Sequence, residues 1–193
     1  MSPALARTSD EAIVEAARNL LEAGGLEAVT MQAVADRVGV RAPSLYKHVA
    51  GRTALIGAIA ADVLADLDAT LRPAIEATDP AEAVRIAARN YRAFARRSPG
   101  AYQLLFSRLL PQARPSPEAN AAGAAGVLLI AERLVGAEDA LEAARLFTAF
   151  VHGFASMELA GAFRLGGDVD AAFEYALEAI LHGLADRGQP SRP

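Results

Sequence analysis

Residues 31–49, MQAVADRVGVRAPSLYKHV, constrain the fold of this chain more than any other stretch. Two short segments with helical periodicity lie on either side of Gly39, and two short helices joined by a glycine-containing turn are the helix-turn-helix pattern. Val34 and Val38 fall on the inward face of the first segment, and Val40 and Leu45 can hold the second against it. That leaves Arg41, Ser44, Tyr46, Lys47 and His48 outward or at the rim, and Lys47 is the only lysine in the chain. Pro43 is tolerated because it falls in the first turn of the second helix, read as Arg41 to His48.

This crowding of donors is unexpected in a chain of net charge −4. The acids explain it by their placement. Residues 1–53 carry Arg7, Arg18, Arg37, Arg41, Lys47 and Arg52 against Asp10, Glu11, Glu15, Glu22, Glu27 and Asp36, so all the net negative charge lies beyond residue 53. From Arg37 to Arg52 no acid occurs at all. Local potential, not net charge, governs the approach of a polyanion. Arg and Lys reach guanine edges or phosphates, while Ser and Tyr hydroxyls and a His ring suit phosphate oxygens. The free amides beside Thr30, at the start of the first helix of the pair, make a second phosphate site.

The rest of the chain reads as helices. The hydrophobic fraction is 53%, much of it alanine, the strongest helix former, and runs of alternating β-branched residues are missing. Ser9 is a candidate N-cap for a first helix that stops at Gly24-Gly25, with Ile13, Ala16, Ala17, Leu20 and Leu21 on one face. Thr30 caps the next. A long helix starts near Arg52 and runs to Pro73 or just beyond. Asp79 caps another, with Pro80 at its first position, and GAYQLLFSRLL follows as a shorter one. The Pro-rich stretch PQARPSPEANAAG (111–123) reads as a loop, AAGVLLIAERLVG (124–136) as a well-buried helix, residues 138–163 as a long helix and 168–188 as the closing one. The expectation is an all-α protein of about nine helices. A helix-turn-helix domain spans 1–53, the helix from Arg52 links it to a helical body over 54–188, and 189–193 is a disordered tail. Without cysteine, disulfides and thiolate metal sites are excluded. The charged first twenty residues do not read as a signal peptide, and no run of about 18 apolar residues reads as a membrane span. A cytoplasmic location is expected.

The stretch VTMQAVADRVGVRAPSLYKHVAGRTALIGAI (29–59) resembles the DNA-binding domain of the TetR family of bacterial transcriptional regulators. Thr30, Ala35, Gly39-Val40, Leu45-Tyr46, His48 and Arg52 carry the likeness, and Val49 stands where Phe is common. The resemblance implies that Thr30, Tyr46, Lys47, His48 and Arg52 grip phosphates. It also implies that Gln32, Arg41, Ala42 and Ser44 face base edges, Ala42 through a methyl contact alone. Arg7 could reach the DNA as an arm, though a solvated tail is the plainer reading.

VHGFASMELAGAF (151–163) resembles the C-terminal domain of a TetR subgroup bearing a Trp-His-Gly motif, with Val151 in place of the Trp and His152-Gly153 kept. The resemblance implies a body that dimerises through its last two helices and binds a small-molecule effector. In the last helix, Ala172, Ala176, Ala179 and Gly183 form a small-residue stripe, and Phe173, Leu177, Ile180, Leu181 and Leu184 supply apolar area. Candidate effector contacts are Tyr91, Phe94, Tyr102, Phe106, Phe147, Phe150, His152, Phe154 and Met157, with Asn90, Ser156 and Glu158 as nearby polar groups. For any one aromatic, core packing competes with pocket lining. The implied function is a DNA-binding regulator, a repressor released by a largely apolar effector, with no metal or cofactor. An enzyme or a helical protein-binding module is the alternative. Against an enzyme stand three histidines in separate helices at no metal-binding spacing, and no phosphate-cradling loop or nucleophile elbow.

Overall fold

The computed structural model describes residues 9–185, so Arg7 and the 189–193 tail lie outside the described residues. The described residues form nine α-helices and one short 3-10 turn, without strands, as the composition predicts. The helices are α1 (Asp10–Ala28), α2 (Met31–Val38), α3 (Ala42–Leu45), α4 (Arg52–Glu76), α5 (Pro80–Arg97), α6 (Pro99–Phe106), α7 (Pro117–Val135), α8 (Ala140–Leu159) and α9 (Val169–Ala185). The 3-10 turn is Pro111–Ala113. The described residues divide into two compact units: 9–65 with 98–119, and 66–97 with 120–185.

In the first unit the local signals act as the sequence predicts. Ser9 Oγ accepts the Ala12 N–H at 3.1 Å, and Thr30 Oγ1 accepts the Ala33 N–H at 3.1 Å, each filling one of the orphan donors at a helix start. Gly24-Gly25 kinks α1, with Gly25 at φ 68, and a short helical piece resumes to Ala28 where the sequence predicts an end. Gly39, at φ 75, closes α2. Its N–H donates to Asp36 O, and the Val40 N–H reaches back to Ala35 O at 3.0 Å, a left-handed cap that turns the chain into α3. Ile13, Ala17, Leu21, Val29, Val34, Ala35, Leu45, Leu55 and Ile59 are buried. Leu45 is the one fully buried side chain of the 41–48 run, and its burial contributes about 2 kcal/mol.

Helix α6, although it follows α5 in sequence, packs on α1. Glu22 caps it from outside: its carboxylate oxygens accept the Gly100 and Ala101 N–H groups at 2.9 and 2.8 Å. A Cβ at Gly100 would stand 2.9 Å from Leu21 O, so only glycine allows this approach. Tyr102 is buried within the unit.

The second unit holds the end of α4, α5, most of α7, α8 and α9. Its core joins Ala74, Val84, Ala88, Ile130, Phe147, Val151, Phe173, Leu177 and Leu181. Asp79 caps α5 as expected, accepting the Ala81 and Glu82 N–H groups at 3.3 and 3.2 Å. Three expectations need correction. The loop expected over 111–123 ends at Ser116, because Pro117 suits a first helical position and Ser116 Oγ accepts the Ala119 N–H at 3.1 Å. Helix α7 is not well buried: Leu128 and Leu129 are 38% and 43% exposed, since only the face of Gly126, Ile130 and Ala131 meets the core. Helix α8 stops at Leu159, four residues before Phe163, as the chain turns at Gly161 with φ 62.

Candidate nucleic-acid interface

The second helix of the hairpin is shorter than expected. Only Ala42–Leu45 is α-helical, and residues 46–48 form a tight turn. Pro43 has no N–H to donate, and the Ser44, Lys47 and His48 N–H groups each reach back only three residues, to Arg41, Ser44 and Leu45 carbonyls. Such bonds wind the chain more tightly than an α-helix. The consequence is a stub whose side chains fan outward around the buried Leu45.

Thr30, Gln32, Arg41, Ser44, Tyr46, Lys47 and His48 are all exposed, and Ala42 is half-buried. Tyr46 keeps 57% of its surface in solvent, unusual for an aromatic side chain without a partner surface. Among the described residues, no ion pair engages Arg37, Arg41 or Lys47. Two of the expected contacts are already engaged locally. The Gln32 amide donates to Asp36 Oδ1 at 2.7 Å. His48 Nδ1 lies 2.7 Å from Asp10 Oδ1 at the start of α1, which orients the ring and leaves Nε2 for another partner. Asp10 was not among the site residues read from sequence, because 38 positions separate it from His48.

Arg52, expected to grip a phosphate, is engaged with backbone carbonyls. Its Nε donates to Val29 O and its Nη2 to Leu26 O, both at 2.7 Å, and the side chain is partly buried. It therefore ties the first residue of α4 to the corner between α1 and α2.

The candidate effector residues are distributed over both units. Tyr102 and Phe106 belong to the first unit, where their rings lie 5.2 Å apart on α6. The other seven belong to the second unit. Phe94 and Phe147 are buried in core, while Met157 is 50% exposed and points to solvent. Phe150 and Phe154 join Phe173 in an aromatic cluster with centroid separations of 5.4 and 5.1 Å. His152 is half-buried, and desolvation pulls its pKa below the usual histidine value. Of the nearby polar groups, Asn90 Nδ2 donates to Thr70 O at 2.9 Å.

Glu158 belongs to an ionic ladder that sequence reading missed. Arg85 meets Glu178 at 2.6 Å, and Arg89 meets Glu174 through two bonds of 2.9 and 2.8 Å. Arg92, only 6% exposed, forks onto Glu158 at 2.8 and 2.7 Å and also reaches Asp170 at 2.7 Å. Arg96 adds a bond to Asp170 at 3.1 Å. Hydrogen bonds from these guanidinium groups hold the Asp170, Glu174 and Glu178 carboxyls below the ordinary carboxylate range. The signal was present as arginines at 85, 89, 92 and 96 and acids at 170, 174 and 178, one face of each helix.

On the last helix, Phe173, Leu177 and Leu181 are buried within the chain itself, which removes them from the surface expected to meet a second copy. Ala172, Ala179 and Gly183 are exposed, and Tyr175 is 80% exposed beside them.

A left-handed glycine turn, a capped bracing helix and a stub of exposed donors, its Arg41 and Lys47 without an ion pair among the described residues, define a helix-turn-helix DNA-reading head. The model of the bacterial regulatory proteins of the tetR family matches residues 13–59, and that of the tetracyclin repressor-like C-terminal domain matches residues 84–180. An uncharacterized HTH-type transcriptional regulator of Mycobacterium tuberculosis is 32% identical over 186 residues, covering 94% of this chain and 84% of that protein. The solved structure of a protein with unknown function from Rhodococcus sp. RHA1 shares the fold at a TM-score of 0.81 and 24% identity, covering 95% of this chain and 100% of that one. So does a TetR variant from Acinetobacter baumannii in complex with minocycline, at a TM-score of 0.68 and 22% identity, covering 95% and 100%. The chain belongs to the TetR family of transcriptional regulators.

Proposed function

We propose that this regulator is a cytoplasmic homodimer that represses transcription by occupying an operator and leaves it when a small, largely apolar effector binds the body. In this reading Thr30, Tyr46, Lys47 and His48 hold phosphates, while Gln32, Arg41, Ala42 and Ser44 face base edges. Arg41 carries most of the sequence readout through the two acceptors of a guanine. The observation that supports it best is the set of exposed donors at Arg41, Ser44, Tyr46 and Lys47, with no carboxylate paired to the two cations. A head designed only to pack would bury or pair such groups.

The dimer rests on physical need and on the surface of the last two helices. A four-residue reading helix offers too few contacts for useful affinity alone, and a two-fold pair doubles them. Ala172, Ala179 and Gly183 would let a partner helix approach closely, and Leu141 and Leu146 on α8 are exposed apolar area of the kind such a contact covers. A minocycline-bound relative of the same fold supports a small-molecule effector. Among the described residues no single helix is long and apolar enough to cross a membrane.

Gel shift of the full-length chain on the DNA upstream of its own coding region tests this. The expected result is retention that survives random competitor and weakens steeply as salt rises. No retention at low salt, or equal retention of random DNA, contradicts it; turnover of a small molecule without DNA affinity would move the chain to the enzyme class.

A further inference from the structure

The geometry points to Arg52 as a positioning residue of the reading head that locks the α1–α2 corner, and with it Thr30, to the first residue of α4. This rests on the DNA-facing roles proposed for Thr30 and Lys47.

Helix α1 ends badly by itself. It is kinked at Gly24-Gly25, and its last turn carries no basic residue to meet the negative end of the helix. The carbonyls there need donors. Leu26 O takes the Val29 N–H at 3.2 Å, and the Thr30 N–H goes to Ala28 O at 3.0 Å. Arg52 adds two donors from 26 and 23 residues away: Nη2 to Leu26 O and Nε to Val29 O, each at 2.7 Å. Nε and Nη2 form one edge of the guanidinium, the edge that would otherwise fork onto a phosphate. That edge is filled.

The two carbonyls belong to different parts of the head. Leu26 lies in the resumed piece of α1, and buried Val29 directly precedes Thr30. Thr30 Oγ1 in turn caps α2 at Ala33. On the far side, Arg52 opens α4 next to the turn that carries Lys47 and His48. One planar group thus sets the distance between two phosphate-facing regions of the head. A lysine ammonium keeps the charge but lacks the rigid fork needed to hold both carbonyls in one geometry.

The test uses the full-length chain as wild type, Arg52→Lys, Arg52→Gln and Lys47→Gln. Binding to a labelled duplex from its own upstream region is measured across a salt series, with thermal unfolding of each variant alongside. Both Arg52 variants are expected to stay folded at the assay temperature and bind about tenfold more weakly. Their slope of log affinity against log salt should match wild type, and Arg52→Lys should not rescue despite its charge. Lys47→Gln should lower that slope by about 0.9, the share of one phosphate. The inference is overturned if Arg52→Gln lowers the slope as Lys47→Gln does while Arg52→Lys restores binding, which makes Arg52 a phosphate ligand. It is also overturned if both Arg52 variants bind as wild type does. Should Arg52→Gln fail to fold, Arg52→Lys decides: weak binding at wild-type slope supports the lock, and full binding overturns it. An unchanged slope in Lys47→Gln would instead overturn the DNA-facing role of Lys47, a separate failure.

Discussion

Residues 37–52 carry four cations and helix α5 five, and most of the two sets end in opposite electrostatic states. On α5, Arg85, Arg89, Arg92 and Arg96 all meet carboxylates of α8 or α9. In the head, Arg41 and Lys47 stand in solvent with no ion pair among the described residues, and Arg52 is spent on backbone carbonyls. The contrast follows from what each region must do. Partners at 178, 174 and 170 descend as the arginines ascend from 85 to 96, so the ladder fixes an antiparallel register between α5 and α9. A cation already paired has little to offer a polyanion, whereas a solvated one brings condensed counterions off DNA on contact.

The sharpest way to break this comparison is Arg92→Ala. It leaves the Glu158 carboxylate, 18% exposed, without its fork and strips a cation from above the Phe173 ring at 4.6 Å. Urea denaturation should show a loss of about 3 kcal/mol, with DNA affinity of the folded fraction unchanged; a loss under about 1 kcal/mol would mean the ladder is ornamental. Next in size is Arg41→Ala. It should cost about 1–3 kcal/mol on the operator and relax sequence preference, with no measurable change in stability. Equal losses on specific and random duplexes would remove Arg41 from base readout. Arg89→Ala tests the solvated end of the ladder: the pair is 47% and 41% exposed, so solvent screening keeps its loss below about 1 kcal/mol.

The smallest effect is in the pH profile. Asp170, Glu174 and Glu178 have depressed folded pKa values, set first by hydrogen bonds from Arg92, Arg89 and Arg85 respectively. Their contribution is therefore present above the unfolded carboxylate range, near 4, and disappears as pH falls through the lower folded values. His152 is also depressed, by burial, so the unfolded chain takes its proton first and stability begins to fall below about pH 6.5. Melting temperature should decline gently from about pH 6.5 and more steeply below about pH 4. His152→Gln should flatten only the upper part, and a flat profile down to pH 3 would contradict both assignments.

The sequence was most informative where a local rule decides the outcome. Ser9, Thr30 and Asp79 cap the helices they were expected to cap, and Gly39 takes the left-handed turn, because each acts within three or four residues. Long-range choices were not legible. Nothing in the 98–119 segment says that it packs with α1, since that depends on Glu22 reaching Gly100 across 78 positions. The periodicity of α7 marks an apolar helix but not how much of it a neighbour covers, so Leu128 and Leu129 were read as core. Within the site, exposure of Arg41 to His48 followed from the inward demand of Leu45. The carbonyl partners of Arg52 were not legible, because a basic residue opening a helix looks the same whether it meets a phosphate or a carbonyl.

The measurement that tests the central claim most directly is dimethyl sulfate protection of the upstream duplex, which reads the guanine N7 positions of the major groove. If the Arg41–His48 stub docks there, wild type should protect guanines in two half-sites about one helical turn apart, and Arg41→Ala should lose that protection before it loses phosphate contacts. Binding with every guanine N7 left reactive would contradict the account.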